Sequence, residues 1–170
     1  SASCIDSGFH TQQVYEFARG RFHQRVFAIK GKAGPLPVWP KRPSRKNGTL
    51  LYTVGVDSAK STVYGRLKIA EPSPGYCHFP ADRTQEYFAQ LLSEILVTTY
   101  SRGAPVREWR RKRGTRGEAL DCRVYAFAAL QALISMGLSL DREAERIETL
   151  AANVNPPAAN RIARSRWMQE

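Results

Sequence analysis

The sequence predicts an α/β fold with a mixed or mostly parallel sheet flanked by helices. Two observations carry that expectation. Strand-like segments, rich in β-branched and aromatic residues, alternate with helical ones along the chain. The 170 residues, 42% hydrophobic and 24% charged, also fit one globular domain with an ordinary core. No apolar run reaches the ~18 residues of a membrane span. The opening Ser1-Ala2-Ser3-Cys4 has neither the basic region nor the apolar stretch of a secretory signal.

Residues 1–6 read as a short strand with Ile5 apolar and Asp6 at its C-terminal end. Thr11 is placed to cap a helix through Arg19, with Val14, Phe17 and Ala18 on one face and Gly20 as the stop. Residues 25–30 (RVFAIK) form a strand by composition. The next stretch, 31–48, holds four prolines and three glycines and reads as an ordered excursion or a loop. Residues 49–56 (TLLYTVGV) are the next strand, and Asp57 is a ready N-cap for a helix to Leu67. After turn chemistry at 71–75, residues 76–79 read as a short strand closed by Pro80. Thr84 caps a helix reaching Leu92, and 95–100 with 106–110 suggest a hairpin around Gly103. A long helix is expected over 118–136, stopped by Gly137. A charged amphipathic helix follows over 140–152, and Asn155-Pro156-Pro157 leads into an Arg-bearing tail.

Net charge narrows the partners. Lys and Arg number 26 against 15 acids, a formal +11. Such an excess serves solubility, but its distribution favours a polyanion, because clustered Lys and Arg neutralise phosphates and release counterions. One cluster holds Lys30, Lys32, Lys41, Arg42, Arg45 and Lys46; a second holds Arg107, Arg110, Arg111, Lys112, Arg113 and Arg116. Cys4, Cys77 and Cys122 are odd in number and far apart, so no disulfide framework is implied. His10, His23 and His78 lack a tight ligand spacing, which argues against zinc. Asp57-Ser58-Ala59-Lys60-Ser61 lacks the glycines of a phosphate-binding loop, and Trp39, Trp109 and Trp167 read as packing residues.

Two acids stand out. Asp6 closes a strand just before a glycine, where α/β sheets place their sites, although a turn aspartate looks the same. Asp121 falls on a helical stripe with Tyr125, Ala128 and Ala132 that reads as inward-facing, where an ionised carboxylate needs a partner or a cation. Glu118, three residues earlier, suits the first turn of a helix by complementing its dipole.

Taken together, Cys4-Ile5-Asp6-Ser7-Gly8, the run from Thr53 to Lys60, Cys77-His78-Phe79-Pro80, and Arg116-Gly117-Glu118-Ala119-Leu120-Asp121-Cys122 resemble the nuclease half of the large terminase subunit of lambda-like tailed phages. The similarity runs over residues 1–138, leaving 139–170 as a C-terminal helix and basic tail. It implies an RNase H-like nuclease fold and a metal-dependent endonuclease that cuts double-stranded concatemeric DNA during packaging in the host cytoplasm. Asp6 and Asp121 match two of that family's catalytic, metal-holding acids. Mg²⁺ or Mn²⁺ in a two-metal site is the implied cofactor. Duplex DNA, the small terminase subunit and the portal are the implied partners. Lys41, Arg42, Arg45, Lys46, Arg110, Arg111, Lys112 and Arg113 are the expected DNA contacts. Asn is common in the family where this chain has Gly117. The family's first acid lies upstream of the Asp6 position, so the sequence reads as an N-terminally incomplete nuclease domain with an unpaired sheet edge open to self-association. Weak or absent cleavage is the corresponding expectation. A non-catalytic basic nucleic-acid-binding module and a motor-assembly module are the alternatives.

Overall fold

Alternation along one strand decides the layering. In Val26–Lys32, Phe27 and Ile29 face one way and Ala28 the other, and all three are buried, so this strand must be covered on both sides. A computed structural model, which describes residues 1–154 with side chains through Ala151, provides those two covers. Trp167 and the tail that begins at Asn155 lie outside the described residues.

The elements run β1 (Ser3–Asp6), α1 (Thr11–Arg19), β2 (Val26–Lys32), β3 (Ser44–Lys46), β4 (Thr49–Gly55), α2 (Val56–Leu67), α3 (Gln85–Leu91), β5 (Glu94–Ser101), β6 (Ala104–Arg111), α4 (Glu118–Ser135) and α5 (Leu140–Val154). The main sheet has the order β1-β2-β4-β3. Its first three strands are parallel and β3 is antiparallel to β4, so the expected mixed sheet flanked by helices is present. Phe27, Ile29, Tyr52 and Val54 pack against Ala128 and Ala132 of α4. Ala28 and Leu51, on the opposite face, meet Tyr15 and Ala18 of α1. Beyond the sheet, Leu120 and Val124 of α4 join Ala59 of α2 and Leu91 of α3 in a second apolar cluster.

Several local expectations need correction. Thr11 does not cap α1: His10 holds the N-cap position at φ 49°, and the Thr11 hydroxyl donates to the Ser7 carbonyl at 2.7 Å. The buried face of α1 is Tyr15 and Ala18, while Phe17 stays 45% exposed. The 31–48 excursion contains β3, joined to β4 by Asn47 and Gly48 at φ 48° and 75°, the two-residue hairpin signature. Gly55, not Asp57, is the N-cap of α2; the Asp57 carboxylate instead accepts the Gly34 N–H at 2.7 Å and ties the excursion to the helix. Residues 76–79 form no strand, because Phe79 turns into an aromatic cluster with Tyr87 and Phe88 where no neighbouring strand can pair with it. Thr84 does cap α3, its hydroxyl accepting the Tyr87 N–H at 3.2 Å.

The hairpin around Gly103 forms, with Arg102 and Gly103 at φ 51° and 80°, but β5 and β6 make a two-stranded sheet of their own. This ribbon leaves Ile95, Leu96, Tyr100 and Val106 exposed. Its base is closed by the Lys112 N–H donating to the Ser93 carbonyl at 2.8 Å. Trp39 stacks on Tyr52 at 4.5 Å and Trp109 lies against Tyr64 at 4.6 Å, both as packing residues. Burial pushes the Cys4 thiol up to about 12, leaving it inert at neutral pH. The chain divides into two compact units, Ser1–Ser135 and a second that begins at Met136. Within the second, α5 carries a Glu143–Arg146 ion pair at 2.5 Å. Among the described residues no single helix is long and apolar enough to cross a membrane.

Candidate functional site

Asp6 ends β1, and the turn after it is nailed to the neighbouring strand. The N–H and the hydroxyl of buried Ser7 both donate to the Ile29 carbonyl, at 2.9 and 2.8 Å. The Gly8 N–H donates to Asp6 Oδ1 at 3.0 Å. An exposed carboxylate is thereby held at the C-terminal ends of parallel strands, the usual place for a site in such a sheet.

Tyr125 of α4 reaches this carboxylate across β2. Its hydroxyl donates to Asp6 Oδ2 at 3.4 Å, joining residues 119 positions apart. The approach depends on Gly31, where a Cβ would stand 2.9 Å from Tyr125 Oη and 2.8 Å from Val56 Cγ1. Burial, then the charges of Asp6 and of Asp121, hold the phenol well above the ordinary tyrosine range. Asp6 is thus bonded to that hydroxyl, and the charge of Asp121, one helical turn before Tyr125, also acts on it.

Asp121 does not face the core as the helical stripe suggested. The buried stripe of α4 is Leu120, Val124, Ala128 and Ala132, and the Asp121 side chain is 47% exposed. The reason is angular: each residue advances about 100° around a helix, so a stripe read one position off leaves its first member on the flank. Glu118 behaves as a first-turn acid, lowered by its own backbone N–H and then by Arg116 at 3.3 Å.

What Asp121 contacts was not legible in the sequence. Arg111, at the end of β6, sends Nη2 to Asp121 Oδ2 at 3.4 Å and to Glu94 Oε1 at 3.4 Å. Glu94 is 6% exposed and its other oxygen takes the Lys60 ammonium at 2.6 Å. Tyr64, one turn after Lys60 on α2, accepts the Glu94 N–H at 3.2 Å and donates to the Glu94 carbonyl at 2.8 Å. A chain of alternating charge thus runs Lys60, Glu94, Arg111, Asp121. A buried carboxylate needs partners of this kind. Only the β5–β6 register, which sets Glu94 opposite Arg111, could have announced it.

The expected DNA contacts divide. Lys41, Arg42, Arg45 and Lys46 are exposed on the excursion and β3. In the other cluster Arg110 is ion-paired with Glu108 and Arg111 is engaged as described, while Lys112 and Arg113 are exposed just beyond the ribbon. An open cleft of about 560 Å³ separates Asp57 and Ser61 of α2 from Leu96, Arg107 and Trp109 of the ribbon.

Among the described residues no group of three or more His, Cys, Asp or Glu side chains is arranged to hold a metal ion. Asp6 and Asp121, both carboxylates and both open to solvent, are the donors available beside Tyr125. Hard oxygen donors of this number suit one Mg²⁺ or Mn²⁺ ion completed by water and phosphate.

Residues 1–141 match the family described as terminase large subunit gpA, endonuclease domain. The chain belongs to that family. It is 36% identical over 148 residues to the terminase large subunit of Escherichia phage lambda, a match covering 79% of this chain and 22% of that protein. It is 35% identical over 144 residues to the terminase large subunit of Enterobacteria phage P21, covering 77% of this chain and 22% of the relative. The matched region thus spans about a fifth of each relative's length. No solved structure matches the chain significantly.

Proposed function

We propose that this domain cuts duplex DNA in a cation-dependent reaction during phage genome packaging, with Asp6 and Asp121 as the metal-holding acids on an RNase H-like sheet. The observation that carries the reading is the bond from Tyr125 of α4 to Asp6 at the end of β1, which brings β1's end to the helix that bears Asp121 one turn earlier. Family membership supports the nuclease class.

Asp6 and Asp121 would hold the ion between them. When bound, a hard divalent cation supplies Lewis-acid stabilisation to a phosphate and acidity to a coordinated water. The chain's own residues do the rest. Tyr125, kept neutral by its surroundings, donates to Asp6 Oδ2 and orients that carboxylate with its second oxygen on Gly8 N–H. The exposed cations of 41–46 and 110–113 position the duplex through its phosphates and read no bases, which suits a cutter that accepts many sequences. The small terminase subunit and the portal are the proposed assembly partners, and the host cytoplasm the proposed location, on the family resemblance alone.

The test is plasmid cleavage in Mn²⁺ by the purified chain and by Asp6→Asn and Asp121→Asn. Each substitution is expected to lower cleavage by about a hundredfold without weakening DNA binding in EDTA. Cleavage that survives both would remove these acids from the reaction. A second reading, a DNA-binding module without cleavage, is favoured by the absence of a third metal-ligating side chain among the described residues. Tight binding with no cleavage in any divalent metal would establish it.

A further inference from the structure

Arg111 sits on a seat built for it. Its guanidinium lies against the backbone of Gly117, where a Cβ would stand 2.5 Å from Nη2, 2.6 Å from Cζ and 2.9 Å from Nε. From that seat it bridges buried Glu94 and half-exposed Asp121. Glu94 does not depend on it, because Lys60 already neutralises that carboxylate at the shorter distance of 2.6 Å. Arg111 is also 45% exposed and stands between Arg110 and Lys112 at the root of a basic ribbon. It is therefore an arginine held by acids within reach of solvent, next to Lys112 and Arg113, which are open to a polyanion.

We infer that Arg111 is a DNA-responsive lock on Asp121: in the free protein it neutralises that carboxylate, and a duplex phosphate draws it away. This deepens the proposed function, on which its metal arm rests. A guanidinium prefers the bidentate fork of a phosphate to a single 3.4 Å contact with a half-solvated carboxylate. Its departure removes a positive charge from beside the place where a cation would bind, so DNA and cation favour one another. Such coupling is reciprocal by thermodynamic necessity. Arg111 acts here as a positioning residue.

The decisive experiment is metal-free. Duplex binding is measured in EDTA across a salt series for the wild type, Asp121→Asn, Arg111→Gln and the double variant. Gly117→Ala adds an independent break: it keeps every charge but pushes the flexible guanidinium off its seat. Thermal melts confirm that each variant folds, and Arg111→Lys serves as the conservative rescue. Asp121→Asn and Gly117→Ala are each expected to tighten binding about fivefold and to steepen the log-salt slope by about one phosphate contact. Neither gain should appear when Arg111 is Gln. Unchanged affinity in Gly117→Ala, or an Asp121→Asn gain that persists without Arg111, overturns the lock.

A Mn²⁺ titration of the same proteins separates this inference from the reading beneath it. If Mn²⁺ affinity ignores Asp121→Asn, the metal site fails while the EDTA cycle still decides the lock. If Mn²⁺ binding depends on Asp121 and the EDTA effects are additive, the lock fails and the metal site stands.

Discussion

The two basic clusters look alike in the sequence and behave differently in the fold. Lys41, Arg42, Arg45 and Lys46 are exposed, and among the described residues none has a carboxylate at ion-pair distance. The cluster 110–113 has half its cations engaged, Arg110 by Glu108 and Arg111 by Glu94 and Asp121. Net charge counts cations; binding uses the ones left free. An acid brought in by the fold from another element removes a cation from the count, and here that acid belongs to the candidate site itself.

The sharpest way to break the contrast is to remove the acid that anchors the engaged cluster. Glu94→Ala should destabilise the protein by about 3 kcal/mol, since it strands the nearly buried Lys60 ammonium. Urea denaturation measures this, and a cost below about 1 kcal/mol would show that the pair anchors nothing. Replacing Glu94 and Lys60 together by Leu and Met should be far milder, because no charge is left unpaired.

Next in size is DNA binding. Alanine at Lys41, Arg42, Arg45 and Lys46 should flatten the log-salt slope by about 3 to 4, whereas alanine at 110–113 should flatten it by less, because Arg110 is paired with Glu108 and Arg111 must first leave Asp121. Equal losses from the two clusters would mean that the ion pairs do not diminish what Arg110 and Arg111 contribute to DNA binding. A smaller effect is expected from Glu108→Gln. Freeing Arg110 should change stability by less than about 1 kcal/mol and tighten duplex binding about twofold.

The smallest effect concerns pH. Tyr125 ionises above the ordinary value of about 10 because of burial first, then the charges of Asp6 and Asp121. Its pKa is raised on folding, so the stability it contributes is complete below pH ~10 and is lost as pH climbs toward the folded value. Tyr52 and Tyr64 are raised by burial too, so an absorbance titration at alkaline pH should show several late-titrating tyrosines, one of which disappears in Tyr125→Phe. In Asp6→Asn its midpoint should fall. An unmoved midpoint would place the Asp6 carboxylate too far from the phenol to act on it.

Much of the local structure was legible because its causes are local. Thr84 accepts the Tyr87 N–H as a cap should, Arg102-Gly103 turns the ribbon, and Asp6 stands at a strand end. The β3–β4 hairpin was missed: its Asn47-Gly48 signature lies in a stretch whose four prolines read as an excursion or loop, and they masked a strand of three residues. Residues 76–79 had a strand's composition and found no strand to pair with, so packing on Tyr87 and Phe88 decided their course. For α4 the helix was readable and its exact facing was not. An error of one position turned Asp121 from the core to the flank.

By itself the sequence determined the alternation of strands and helices, the excess of positive charge, the two acids worth attention and the resemblance to a nuclease family. Each depends on neighbouring residues or on simple sums. Only the tertiary structure decided which charges are spent. Lys60, Glu94, Arg111 and Asp121 lie on four different elements and meet through the β5–β6 register and the docking of α2 and α4. Gly117 is a seat only because Arg111 arrives there, and Gly31 a gap only because Tyr125 crosses it. Coulombic and steric contacts act over a few ångströms in space, whatever the distance along the chain, and a linear pattern carries no record of them.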